Sequence, residues 1–241
     1  MSETKDLTVL AITKMHGGVC SAGIDSSGKW VRPIRKPDPG RWERSGLTDH
    51  CLLPVDFFHG GRSHLVNLGV SRICLTAPRP EPPHVEDWLL DSSRKPEFIR
   101  KLSEDEQVAF LATHADPDLK VLEPLQHRSL ALIKPDEFSF LVRRNLSGDD
   151  VAVRTAFRIR QTSFSDAGCT DLRMRALGRT LIDHSSKDAF ELTQEEFRRR
   201  GKDLTYLAVG LSRLYMNRHW LIVVGVHTVP ELDVEIDYAR L

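Results

Sequence analysis

The chain has 241 residues, 40% apolar and 28% charged, and its 34 basic residues are balanced by 34 acidic ones. That balance argues against a protein that coats phosphate backbones indiscriminately, which shows as a basic excess, but leaves room for a local basic groove. The longest apolar run, Trp220 to Val226, falls far short of the roughly 20 residues that cross a bilayer, and the acidic start is unlike a secretion signal, so a cytoplasmic protein is expected.

Strands dominate the first seventy residues. Leu7–Thr13, Cys20–Ile24, Lys29–Ile34 and Leu65–Leu75 are rich in Val, Leu, Ile and Thr, and Asp25-Ser26-Ser27-Gly28 has the composition of a hairpin turn. Such short strands suit a small barrel better than a βαβ unit. From Thr76 to Trp88, four prolines (Pro78, Pro80, Pro82 and Pro83) impose extended chain leading to an anchor at Trp88-Leu89-Leu90. Asp91–His114 is the clearest helical region, with Phe98, Leu102, Val108 and Leu111 as apolar contacts. A second cap at Ser103-Glu104-Asp105-Glu106 divides it into two short helices.

Strands then return at Ser129–Ile133, Phe138–Arg143 and Val151–Arg160. The last alternates: Val151, Val153, Thr155, Phe157 and Ile159 share one face, and Arg154, Arg158 and Arg160 the other. Leu172–Leu177 reads as a further strand bearing Arg173 and Arg175. Thr193-Gln194-Glu195-Glu196 is a capping box that opens a polar helix, and Thr205–Leu211 and His219–His227 close the chain as strands. The expected architecture is mainly β (α+β), with two OB-like small β-barrels and a short helical insertion between them. Residues 1–90 form the first barrel with its proline-rich strap, 91–118 the insertion and 119–241 the second barrel with an inserted helix.

Several residues are candidates for chemistry. His16-Gly17-Gly18-Val19-Cys20 is either a ligand-facing loop, in which His16 and Cys20 ligate a metal or form a thiol–imidazole pair, or a plain turn beside a buried cysteine. Cys169, flanked by Asp166 and Asp171, is either an activated thiol with acids to relay protons or a structural residue among turn-forming carboxylates. The four cysteines (Cys20, Cys51, Cys74 and Cys169) are scattered, so they read as reduced thiols, and without a Cys-x-x-Cys pair neither a metal nor another cofactor is expected. Trp30 and Arg32, with Trp88, offer a stacking ledge beside a cation. Arg143, Arg144, Arg154, Arg158, Arg160, Arg173 and Arg175 offer a cationic track for phosphates, or else a solvated face. Walker, His-Glu-x-x-His and Gly-x-Ser-x-Gly patterns do not occur.

Three segments taken in order carry a family resemblance. They are Leu10–Ile24 followed by Gly28-Lys29-Trp30-Val31-Arg32-Pro33, then Pro83–Leu90, then Cys169-Thr170-Asp171-Leu172 with Tyr206–Ser212 and Trp220–Val226. Together they resemble the dual OB-containing domain family of bacterial nucleic-acid modification and defence systems. Cys169 departs from the pattern, where a β-branched residue is expected. The resemblance implies two OB-like barrels and DNA or RNA as partner, with proteins of such a system as further partners. The expected function is nucleic-acid binding. An alternative is an enzyme acting on a base in DNA, for example hydrating the nitrile of a 7-deazaguanine, with Cys20 or Cys169 as nucleophile. A second alternative is an adaptor that uses the proline segment.

Overall fold

In the computed structural model the described residues are 2–15, 18–36, 50–123, 127–145, 150–185, 187–236 and 238. The chain divides into two compact units. The first comprises Met1–Gln107, Glu123–Ser129 and Tyr238–Leu241, and the second Val108–Leu122 and Leu130–Asp237. The mainly-β class is borne out, and no described helix is long and apolar enough to cross a membrane.

In the first unit the strands are β1 (Glu3–Met15), β2 (Gly18–Asp25), β3 (Trp30–Ile34), β4 (Phe58–His59), β5 (Arg62–Ser63), β6 (Gly69–Pro78), β7 (Asp87–Leu90) and β8 (Glu97–Lys101). Helix α1 spans Pro54–Phe57, and α2 (Glu104–His114) carries the chain into the second unit. The sheet runs β1-β2-β3-β7-β6-β8, and a further pairing of β1 with β6 closes its first five strands into a barrel. Closure removes the sheet edges that would otherwise stand unpaired. It also explains the uninterrupted burial from Leu7 to Thr13, since β1 is flanked on both sides and packed against the core. The hairpin foreseen at Asp25–Gly28 is present. Asp25 Oδ1 accepts from the backbone N–H of Ser27 and Lys29 at 2.9 and 3.1 Å, and Gly28 takes a φ of 78°.

Two short helices were expected over Asp91–His114; the second is present, and the first is corrected to a strand. Residues Glu97–Lys101 are a strand on the outer edge of β6, pairing Ser71 with Phe98 and Val70 with Arg100. Pro96 favours extended backbone just before it, and an open ladder on β6 outweighs a modest helical pattern. The helix begins only at the second cap. Ser103 Oγ accepts from Glu106 N–H at 3.3 Å, and Glu106 accepts from Ser103 N–H at 2.8 Å.

The second unit holds β9 (Leu130–Ile133), β10 (Glu137–Arg144), β11 (Val151–Ile159), β12 (Thr162–Cys169), β13 (Ala189–Thr193), β14 (Leu204–Leu211) and β15 (Leu221–Val229), in sheet order β13-β10-β11-β12-β15-β14-β9. The alternation read in Val151–Arg160 holds, with Val151, Val153, Thr155, Phe157 and Ile159 buried. The Thr193 capping box opens α4 (Gln194–Arg199) as expected. Leu172–Leu177, read as a strand, is instead the start of helix α3 (Leu172–Asp183). Asp171 caps it by accepting from Met174 N–H at 2.7 Å, and Leu172, Met174, Ala176 and Ile182 are buried. A six-residue alternation fits either period, and the cap decides between them.

Gly23 permits the close approach of β1 and β2. A Cβ there would lie 2.4 Å from the Thr8 carbonyl oxygen, a backbone atom with nowhere to retreat. Gly23→Ala is expected to destabilise the protein by about 2 kcal/mol. The measurement is a lower urea midpoint with an unchanged slope.

Candidate nucleic-acid interface

A groove of about 440 Å³ opens on the first unit, and its walls come from several separate segments. Trp30 enters from the start of β3, Trp88 from β7, Lys5 from β1, Lys29 from the β2–β3 turn, and His127 and Arg128 from the segment before β9. Trp30 is buried and forms part of the lining, whereas Trp88 is half-buried and presents ring surface. The Lys5 ammonium sits 4.8 Å from the Trp88 ring centre and pairs with Glu3 at 2.8 Å and Asp25 at 3.3 Å. Burial opposes the charge on Lys5, but these two carboxylates outweigh it and hold its pKa above the ordinary lysine value. Burial likewise opposes ionisation of Asp25, yet hydrogen bonds from Ser27, Lys29 and Lys5 keep its carboxyl below the usual range. The turn that Asp25 organises delivers Lys29 to the rim. Lys29 is exposed and has no carboxylate partner among the described residues.

The two tryptophans meet because β3 and β7 run parallel, pairing Arg32 with Asp87 and Pro33 with Trp88. Arg32 was expected to meet phosphate beside Trp30. It is instead buried, at 8% exposure, and its guanidinium is held by Asp87 at 2.6 Å and Glu86 at 3.2 Å. Burial works against its charge, and the two carboxylates more than restore it. Glu86 is in turn held by Ser129. The Ser129 backbone N–H donates to Glu86 at 3.2 Å, its hydroxyl donates to the same carboxylate, and that hydroxyl meets His84 Nδ1 at 2.8 Å. A hydroxyl whose one proton goes to a carboxylate must accept from the imidazole, so Nδ1 carries the hydrogen. The order is therefore His–Ser–Glu, with serine in the middle and fully buried. That arrangement fixes strands and does not activate a nucleophile.

The thiol candidates separate. Cys20 is half-buried on β2, opposite Thr13 and within the electrostatic reach of Arg32, whereas His16 lies outside the described residues. Cys169 is buried at the end of β12, between Val153 and Val223. Burial, reinforced by the nearby Asp171 charge, pushes its thiol far above the ordinary cysteine value, so it is no activated thiolate. Asp171 is fully buried, its pKa is raised by that burial, and it caps α3 while accepting from Val226 N–H at 3.3 Å. Asp166 points to the opposite, exposed face of β12 and binds Arg154 at 2.6 Å. The proposed relay around Cys169 is thus not assembled. Among the described residues, no three His, Cys, Asp or Glu side chains gather as a metal set.

The continuous arginine track is likewise corrected. Arg144 lies 3.7 and 3.5 Å from Asp183 and Asp188, Arg158 lies 2.8 Å from Glu137, and Arg160 lies 3.8 Å from Asp118. Arg173 is buried against Glu231 at 2.8 Å, and Arg175 pairs with Asp150. Arg143 is exposed and acts electrostatically on Asp166, the partner of Arg154. The carboxylates that seal these guanidinium groups come from remote stretches of chain, which a strand-by-strand reading does not bring together. Lys5, Lys29 and Arg128 escaped that reading. Only Lys29 carried a signal, as the residue between a turn and Trp30.

Asp87→Ala leaves the buried Arg32 with one carboxylate fewer and is expected to cost about 3–5 kcal/mol of stability, read from the denaturant midpoint. Native Cys169 should resist a maleimide at neutral pH and become labelled only on unfolding, as followed by mass spectrometry.

No curated protein matches the chain. The model of the dual OB-containing domain matches residues 5–226, nearly the whole length, and the chain therefore belongs to the dual OB-containing domain family.

Proposed function

We propose that this protein binds single-stranded or locally unpaired nucleic acid, with the groove of the first unit as its principal contact. One observation carries the reading: Trp30 and Trp88, more than fifty residues apart in sequence, line one groove together with Lys5, Lys29 and Arg128. Base stacking on an exposed aromatic ring with cations nearby for phosphate is the recurring physics of strand recognition, and it needs no particular base sequence. The groove is also short and carries carboxylates, so it suits one or two nucleotides better than a long backbone track. That matches a chain with no net charge. In a bacterial modification or defence system, such a protein would hold an unpaired stretch for a catalytic partner. Of the two candidate nucleophiles for base modification, Cys169 is committed with Asp171 to the core of the second unit, which leaves that alternative on Cys20 alone.

Fluorescence anisotropy with a labelled single-stranded oligonucleotide tests the reading. Trp88→Ala should weaken binding by about tenfold or more, since one stacked base contributes roughly 1–3 kcal/mol. Lys29→Glu should flatten the dependence of log affinity on log salt. Arg158→Glu, which alters an arginine already paired with Glu137, should bind like the parent. Parent-like affinity in Trp88→Ala would rule the groove out.

A further inference from the structure

The second unit carries a surface feature that the groove does not explain. Strands β14 and β15 continue beyond their formal ends as a narrow hairpin, with Ser212 N–H donating to Trp220 O at 2.8 Å and Tyr215 N–H to Arg218 O at 3.0 Å. Arg218 N–H returns a bond to Tyr215 O at 3.2 Å. Met216 and Asn217 occupy the tip with φ of 52° and 61°. Two successive left-handed residues make a type I′ turn, whose twist matches the strands it joins. Further bonds stiffen the hairpin: the Trp220 indole N–H donates to Tyr215 O at 3.1 Å, and Trp220 N–H donates to Ser212 Oγ at 2.9 Å.

This rigid hairpin exposes what proteins usually bury. Leu214, Tyr215 and Met216 are 64%, 62% and 73% exposed, with Trp220 at 38% below them. Met216 stands where glycine would be relaxed, so the turn bears a conformational cost in order to present a long apolar side chain. The charges on the hairpin are of one sign. Arg213 and Arg218 are its ionised residues, and from Leu204 to Pro230 the sequence contains neither Asp nor Glu. Among the described residues Arg218 has no carboxylate partner. Its guanidinium carbon lies over the Trp220 ring, 3.2 Å from the centre. A guanidinium held over a ring face still has N–H groups that can donate to a phosphate. The contrast with Arg144, Arg154 and Arg158, each paired with a carboxylate, is the clue to the occupant. An apolar tip flanked only by cations complements a polyanion whose bases offer flat faces.

We infer that the β14–β15 hairpin is a second nucleic-acid contact, a wedge whose Tyr215 and Met216 side chains lodge against unstacked bases while Arg218 holds the adjacent phosphate. This rests on the nucleic-acid reading above and adds to it a preference for strands whose stacking is already broken.

The test uses the full-length chain carrying Tyr215→Ser together with Met216→Gly. Glycine suits the left-handed tip, so the turn survives while its apolar side chain is lost, and circular dichroism verifies the fold. The probe is a single-stranded oligonucleotide containing 2-aminopurine, whose fluorescence rises on unstacking. We expect the parent to raise that signal, and the double variant to lose the rise and to bind about tenfold more weakly. Arg218→Glu should weaken binding at low salt most. Ultraviolet cross-linking of the unaltered protein should attach the oligonucleotide to the peptide containing Tyr215. If Trp88→Ala weakens binding while the double variant binds, unstacks and cross-links like the parent, the wedge is overturned and the groove stands. If the parent binds no oligonucleotide, both readings fall. If the double variant instead loses self-association or a protein partner while keeping its affinity for the oligonucleotide, the hairpin is a protein contact and the inference is wrong.

Discussion

Arg32 brings a permanent positive charge into the packed wall of the first barrel, and the placement of its neighbours follows from satisfying it. Guanidinium cannot shed its proton as a buried lysine can, so burial demands carboxylates. Asp87 and Glu86 supply them from the chain that follows the proline segment. Meeting that demand sets β7 beside β3 in parallel, with Arg32 opposite Asp87. Trp88 is the next residue, so the ion pair that joins the strands also delivers an aromatic ring to the groove that Trp30 lines. Ser129 and His84 extend the network and bring the segment carrying His127 and Arg128 to the same groove. An arginine that looked like a phosphate ligand is thus a positioning residue for the wall of the groove.

Charge is used differently in the two units. In the second, Arg144, Arg154, Arg158 and Arg160 are matched with carboxylates from Asp118, Asp136, Glu137, Asp166, Asp183 and Asp188. Exposed pairs of this kind contribute little to stability individually, but they cancel the field a phosphate would feel. Among the described residues, Lys29 on the groove rim and Arg218 on the β14–β15 hairpin are two cations that have no carboxylate partner. Lys29 shares its groove with two tryptophans, and Arg218 lies over the Trp220 ring. Under the proposed reading, a neutral chain would address a polyanion at a few points without indiscriminate adhesion.

The elements that were legible in the sequence are those whose signals are local. The alternation of Val151–Ile159, the Asp25–Gly28 turn and the Thr193 capping box each depend on neighbours a few residues away, and each appears where the pattern places it. Glu97–Lys101 and Leu172–Leu177 were misread because their periodicity is short and a distant partner decides. The open edge of β6 recruits Glu97–Lys101 as a strand, and Asp171, buried and capping, commits the residues after it to a helix.

The sequence alone determined the strand-rich class and the overall neutrality, because composition and alternation are properties of the chain itself. Tertiary structure decided which cations remain active. Ion pairing depends on which carboxylates arrive from elsewhere, and those that neutralise Arg158 and Arg160 lie more than twenty residues away along the chain. It also decided that Cys169 is inert, since a thiol's acidity follows its burial and the charges around it, which no linear spacing records.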